Sequence, residues 1–144
     1  MSEAANPFPL KDIEPHLEAV RAHWAGLIRG DNDMPFWDDF APANLPQARQ
    51  TLFLLDVMFD QPSRFRFSNV VSAELEQRYG EEVRGLYSDE MRRRAPFEYL
   101  TAQAYATLEG RHPTYYAAGP YARLLAPMWG DGRIGMILGA VAWR

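Results

Sequence analysis

Residues 113–143 read PTYYAAGPYARLLAPMWGDGRIGMILGAVAW. Three β-rich runs, 113–119, 121–129 and 134–143, are separated by Gly119-Pro120 and by Gly130-Asp131-Gly132, residues that favour tight hairpin turns. The last run is apolar at almost every position instead of alternating, the pattern of a strand covered on both faces. Working toward the N-terminus, 51–59 (TLFLLDVMF) and 64–71 (RFRFSNVV) are also β-rich and are split by Asp60-Gln61-Pro62-Ser63, which predicts a second hairpin. Between the two sets the period becomes helical. Ala73, Leu75 and Tyr79 are set against Glu74, Glu76 and Arg78 up to Gly80. A second stop at Gly85 precedes a short helical piece at 86–94. Pro96 then opens a longer helix with Phe97, Leu100, Ala104 and Leu108 on one face and Gly110 at its end. Antiparallel hairpins flanking a helical insertion predict an α+β domain, a five-stranded antiparallel sheet with helices gathered on one face.

Upstream of the sheet, 12–29 carries Ile13, Leu17, Val20, Trp24, Leu27 and Ile28 at helical spacing. Asp12 suits the N-cap, Pro15 the first turn and Gly30 the C-terminal stop. The expected organisation is a mobile leader at 1–11 and one domain at 12–144. That domain comprises a leading helix (12–30), a proline-rich loop (31–47) and a core (51–144). The stripe of the leading helix has to cover the second face of the sheet. It can do so by folding back or by pairing with a second copy, and a homodimer is the favoured expectation.

The 144 residues suit a single domain. Hydrophobic residues make up 47% and charged residues 24%, which excludes disordered and fibrous classes. With no cysteine, a disulfide scaffold, thiolate metal sites and a cysteine nucleophile are all out of reach. A net charge of −4 gives no electrostatic footprint for a nucleic-acid backbone, although 14 of the 15 basic residues are arginine. Residues 1–10 show no signal peptide. The longest apolar run, 136–143, is far short of the ~20 residues that span a bilayer. The expectation is a soluble, cytoplasmic protein with no membrane insertion and no nucleic-acid partner.

Several motifs are read down by their context. Gly130-Asp131-Gly132-Arg133-Ile134-Gly135 spells the dinucleotide fingerprint G-x-G-x-x-G, but a strand pattern follows it where a pyrophosphate needs a helix N-terminus. His16 and His23 are seven residues apart and His112 lies in a turn, so metal-ligand spacing is missing. Arg92-Arg93-Arg94 sits among Asp89, Glu90 and Glu98 and reads as a solvated helix end. Arg29-Gly30-Asp31 reads as a helix stop.

Arg64-Phe65-Arg66-Phe67, the Tyr79-Gly80-x-x-Val83-x-Gly85 step and Gly110-Arg111-x-Pro113 together resemble the small stand-alone bacterial PAS-like family. Arg123-Leu124-Leu125-x-Pro127, Gly130-Asp131-Gly132 and Ile137-Leu138-Gly139 extend the likeness, which runs from about Trp24 to Trp143. Ser72-Ala73 replaces the Gly-Thr pair frequent at the end of the second strand, and Phe36-Trp37-Asp38-Asp39 lacks the family's basic residue. The resemblance implies a PAS-like sheet with a helical crossover on one face. It also implies a non-catalytic signalling or regulatory module that senses a small ligand or binds an unidentified signalling protein in trans. No haem, flavin, nucleotide or metal motif is seen.

For a ligand between the crossover and the sheet, the candidate lining is Tyr79, Tyr105 and Trp129, with Arg66 as the charged contact. For covering the sheet or forming a dimer, the candidates are Ile13, Leu17, Val20, Trp24 and Leu27. An alternative class is a small α+β enzyme of the ketosteroid-isomerase-like type. It would use a carboxylate in an apolar cavity as general base, and Asp56 within TLFLLDVMF is the acid in such surroundings.

Overall fold

The computed structural model describes residues 7–41 and 51–144. The last six residues of the expected loop, 42–47, and all but residues 7–11 of the expected leader lie outside them. The element order is α1 (Pro15–Gly26), β1 (Leu52–Met58), β2 (Arg64–Val71), α2 (Ala73–Tyr79), α3 (Leu100–Gly110), β3 (Thr114–Ala117), β4 (Tyr121–Gly130) and β5 (Arg133–Trp143). The chain is α+β. Its five strands form one antiparallel sheet in the order β2-β1-β5-β4-β3, so the last strand lies at the centre.

Alternation sorts the side chains of this sheet onto two covered faces. Phe53 and Leu55 of β1 and Phe65 and Phe67 of β2 point toward the helices of the β2–β3 connection, as do Tyr121, Arg123 and Leu125 of β4. All seven are buried. Leu52, Leu54, Leu124, Leu138 and Ala140 point the other way and are buried as well. The turn between β4 and β5 has Asp131 at φ 56° and Gly132 at φ 76°, the two positive angles a type I′ hairpin requires. The apparent dinucleotide motif is therefore a two-residue hairpin turn.

The second face is closed by α1, which folds back over β4 and β5 of its own sheet. Leu17 and Val20 are fully buried and Trp24 nearly so. Ile13, Leu27 and Ile28 pack half-buried at the margin of the core. The Trp24 indole N–H donates to the Pro127 carbonyl at 2.8 Å. A proline inside an interior strand is tolerated here because the β3 ladder ends at Leu125. Beyond that end, residues 35 and 36 take over the edge, with the Trp129 N–H donating to the Pro35 carbonyl at 2.7 Å.

Four boundaries differ from the sequence reading. Asp12 is not the N-cap; it has φ 55° and the cap is Glu14, with Pro15 opening the helix as expected. The leading helix stops at Gly26 and not at Gly30. Residues 86–94 hold only a single 3-10 turn, Ser88–Glu90. The backbone just before that turn pairs with the edge of β2: Gly85 N–H donates to Phe67 O, and Phe67 N–H donates to Leu86 O. Finally, α3 begins at Leu100, four residues after Pro96, and Tyr99 before it is left-handed at φ 58°. The carbonyls of Pro96 and Glu98, which would start a helix at Pro96, are bound by Arg123.

Candidate ligand groove at the helical crossover

The connection from β2 to β3 leaves one edge of the sheet and returns at the other, so it crosses the whole face. Side chains more than backbone ladders hold it there. α2 ends at Gly80, whose φ of 102° makes it a left-handed cap. The Tyr79 hydroxyl accepts from the Arg92 N–H at 2.9 Å and donates to the Arg92 carbonyl at 3.2 Å. Arg94 turns inward over the Tyr79 ring, 4.6 Å from its centroid. Arg64 forks onto Asp89 at 2.9 and 2.8 Å and stacks 3.8 Å from the Tyr87 ring centroid. This guanidinium hydrogen bond holds the Asp89 carboxyl below the usual carboxylate range. The hydroxyls of Ser88 and Thr101 meet at 2.7 Å, tying the turn to α3.

Behind these contacts lies a fully buried arginine. Arg123 is 0% exposed. Its Nε donates to the Gln103 side-chain oxygen, its Nη1 to the Pro96 carbonyl and its Nη2 to the Glu98 carbonyl, each at 2.8 Å. Gln103 passes the network on to the Thr114 hydroxyl at 3.1 Å. Burial pushes the Arg123 pKa down to about 10, so the group remains a cation at neutral pH, with the Tyr116 ring centroid 5.0 Å away. Burial likewise pushes Tyr121 up to about 12 and raises Tyr116. In a spectrophotometric titration these two phenols should ionise above the ordinary tyrosine range, and Tyr121→Phe should remove the step near pH 12.

The space between crossover and sheet is filled by rings. Phe53, Phe67, Phe97 and Tyr79 pack tilted or edge-to-face with centroids 5.0–5.5 Å apart. The concavity instead lies on the outer side of the crossover, between the arm 88–93 and the start of α3. It is an open groove of about 410 Å³. Phe97 and Leu100 form its apolar floor, Tyr99 and Tyr105 its sides, and Arg92 and Arg93 its rim.

The four residues picked from sequence for a pocket are not brought together. Tyr105 lines the groove, with its hydroxyl donating to the Ser63 carbonyl and its ring edge-on to Phe65. Tyr79 is behind it, buried and bonded to the arm. Trp129 sits at the β4 bulge beside Phe36 and Arg111. Arg66 points away from the crossover and pairs with Asp56 across the β1–β2 ladder at 3.4 Å. A shallower concavity of about 250 Å³ joins Asp56 and Arg66 to Ser68, Asn69 and Gly85. Both partners there are about a third or more exposed, so Asp56 is not enclosed by apolar groups.

Sequence reasoning passed over Arg123 and Gln103. The signal was there: Arg123 is the one charged residue in YARLLAPMW, a run apolar on both faces. The arginine run reads as a solvated helix end, yet no helix forms at 91–94 and Arg94 lies over the Tyr79 ring.

The chain matches no protein-family model, and no curated protein or solved structure matches it. Among the described residues no group of three histidine or acidic side chains could hold a metal. His16 meets the Thr51 hydroxyl at 3.1 Å, His23 lies edge-on to Phe40, and His112 Nδ1 is 2.9 Å from the Pro113 carbonyl. No helix among the described residues is long and apolar enough to cross a membrane.

Proposed function

We propose that this chain is a PAS-like regulatory module of the cytoplasm. In this reading its crossover binds a small ligand, and the resulting change is read by a signalling protein in trans, with no chemistry performed by the module itself. The observation that carries the reading is the sheet order β2-β1-β5-β4-β3 with the helical connection inserted between β2 and β3. It agrees with the arrangement that the sequence resemblance implies. A crossover that joins opposite edges of a rigid sheet is suited to signalling, because a local change in it is presented at the surface while the sheet stays fixed.

The arm 88–94 is the part best suited to move. It lies between two anchors, the β2 edge at Gly85, Leu86 and Tyr87 and the Arg123 clamp at Pro96 and Glu98. Between them the hydrogen bonds that hold it to the body come from side chains, those of Tyr79, Ser88 and Asp89. Segments tied in this way open at lower free energy than a buried ladder, and a ligand that binds only one arrangement shifts the population toward it. Asp56, opposite Arg66 on a half-exposed face, supports a solvated ion pair over a general base in an apolar cavity.

The test is hydrogen exchange with mass spectrometry, comparing the protein alone and with the small-molecule fraction of an extract of the producing cells. The reading predicts slowed exchange across 85–105 with β4 and β5 unchanged, and a matching adduct in the native mass spectrum. An extract that leaves 85–105 unchanged and adds no mass overturns it.

A further inference from the structure

The chain is acidic overall, and its arginines are almost all spoken for. Of the thirteen in the described residues, nine pair with a carboxylate. Arg123 is clamped by two carbonyls and a glutamine, and Arg133 lies 3.6 Å from the Phe59 ring centroid. That leaves Arg92 and Arg93. They are adjacent and exposed, and among the described residues their side chains have no carboxylate partner. Both line the 410 Å³ groove. The one carboxylate that the described residues place on the same groove, Asp89, is already bound by Arg64 at two oxygens and offers them little competition.

From this juxtaposition we infer that the groove takes a small organic anion, a carboxylate on an apolar or aromatic body. The carboxylate sits at Arg92 and Arg93 and the body rests on Phe97 and Leu100. Guanidinium groups match a carboxylate through paired N–H donors, and such charge-assisted bonds are the stronger class. The apolar floor selects against a bare inorganic ion. The volume falls within the few hundred Å³ usual for small-molecule sites. The backbone of Arg92 is itself held by the Tyr79 hydroxyl, so an anion drawn to its side chain pulls on the arm. This inference rests on the regulatory reading above and gives its ligand a chemical class.

Amide chemical-shift titration with phenylpropionate, its neutral amide and inorganic phosphate tests the inference. The expected result is saturable shifts confined to residues 88–105 with phenylpropionate, at concentrations on the order of 10 mM or below. The amide and phosphate should each bind at least tenfold more weakly. The double variant Arg92→Gln, Arg93→Gln should weaken phenylpropionate binding by tenfold or more and leave the urea midpoint unchanged, because neither side chain bonds to any of the described residues. Absence of saturation, equal binding of acid and amide, equal binding of phosphate, or unchanged affinity in the double variant each overturns it. If the cell extract still protects 85–105 after such a failure, only the ligand class is lost; if both experiments fail, the regulatory reading falls with it.

Discussion

Replacing Arg123 with methionine is expected to lower unfolding free energy by about 2–4 kcal/mol, the cost of leaving buried acceptors without their charged donor. Methionine fills most of the volume, so the loss is polar. The Gln103 side-chain oxygen and the carbonyls of Pro96 and Glu98 each lose a charge-assisted donor at 2.8 Å. A buried acceptor left unsatisfied costs roughly 1–3 kcal/mol, and the two loop carbonyls recover part of this by turning to water. Arg123→Lys should fare little better, because one ammonium cannot reproduce the planar fork that reaches three acceptors on different segments. Urea unfolding followed by tryptophan fluorescence measures the change. A loss below about 1 kcal/mol, the net worth of one ordinary hydrogen bond, would mean that the clamp does not hold the crossover.

The second large effect is expected at Gly139. This residue pairs with Phe53 across the two central strands, and the Phe53 ring lies flat over it. An added Cβ would come closer than 3.0 Å to three ring carbons. The ring has no free direction to move, since Phe67 and Phe97 each stand 5.5 Å away. Gly139→Ala should therefore reach the upper end of the ~1–3 kcal/mol that overpacking costs, and Gly139→Val should exceed it. Phe53→Leu alone is also destabilising, but combined with Gly139→Ala it should recover part of the loss. A double-mutant cycle measures that coupling, and strict additivity would show that the ring is not the obstacle.

The β elements were legible because glycine and proline punctuate them and the central strands carry no polar face. The start of α3 was not, because the periodicity of Phe97, Leu100, Ala104 and Leu108 runs straight through residues 96–99. What removes those residues from the helix is Arg123, more than twenty positions later, binding the carbonyls of Pro96 and Glu98. Likewise, nothing local in 86–94 announces that its leading residues pair with the edge of β2. The orientation of Arg66 could have been read from RFRF itself. Phe65 and Phe67 claim the crossover face, so strand alternation puts Arg66 on the other. Trp129 follows a bulge after Met128, and a bulge breaks the parity on which such a reading depends. The groove is half legible: the sequence points to Tyr105, while Arg92 and Arg93 read as part of a helix that does not form.

The account turns on the arm 88–94 opening independently of the sheet, and native-state hydrogen exchange of the free protein in low denaturant measures this most directly. The Arg92 amide, bonded only to the Tyr79 hydroxyl, is expected to exchange through an opening at least a few kcal/mol less costly than global unfolding. Its dependence on denaturant should be weak. The amides of Leu124 and Val141 in the central strands should exchange only on global unfolding. Exchange of Arg92 with the same free energy and the same denaturant slope as Leu124 and Val141 would make the arm part of the rigid core and contradict the account.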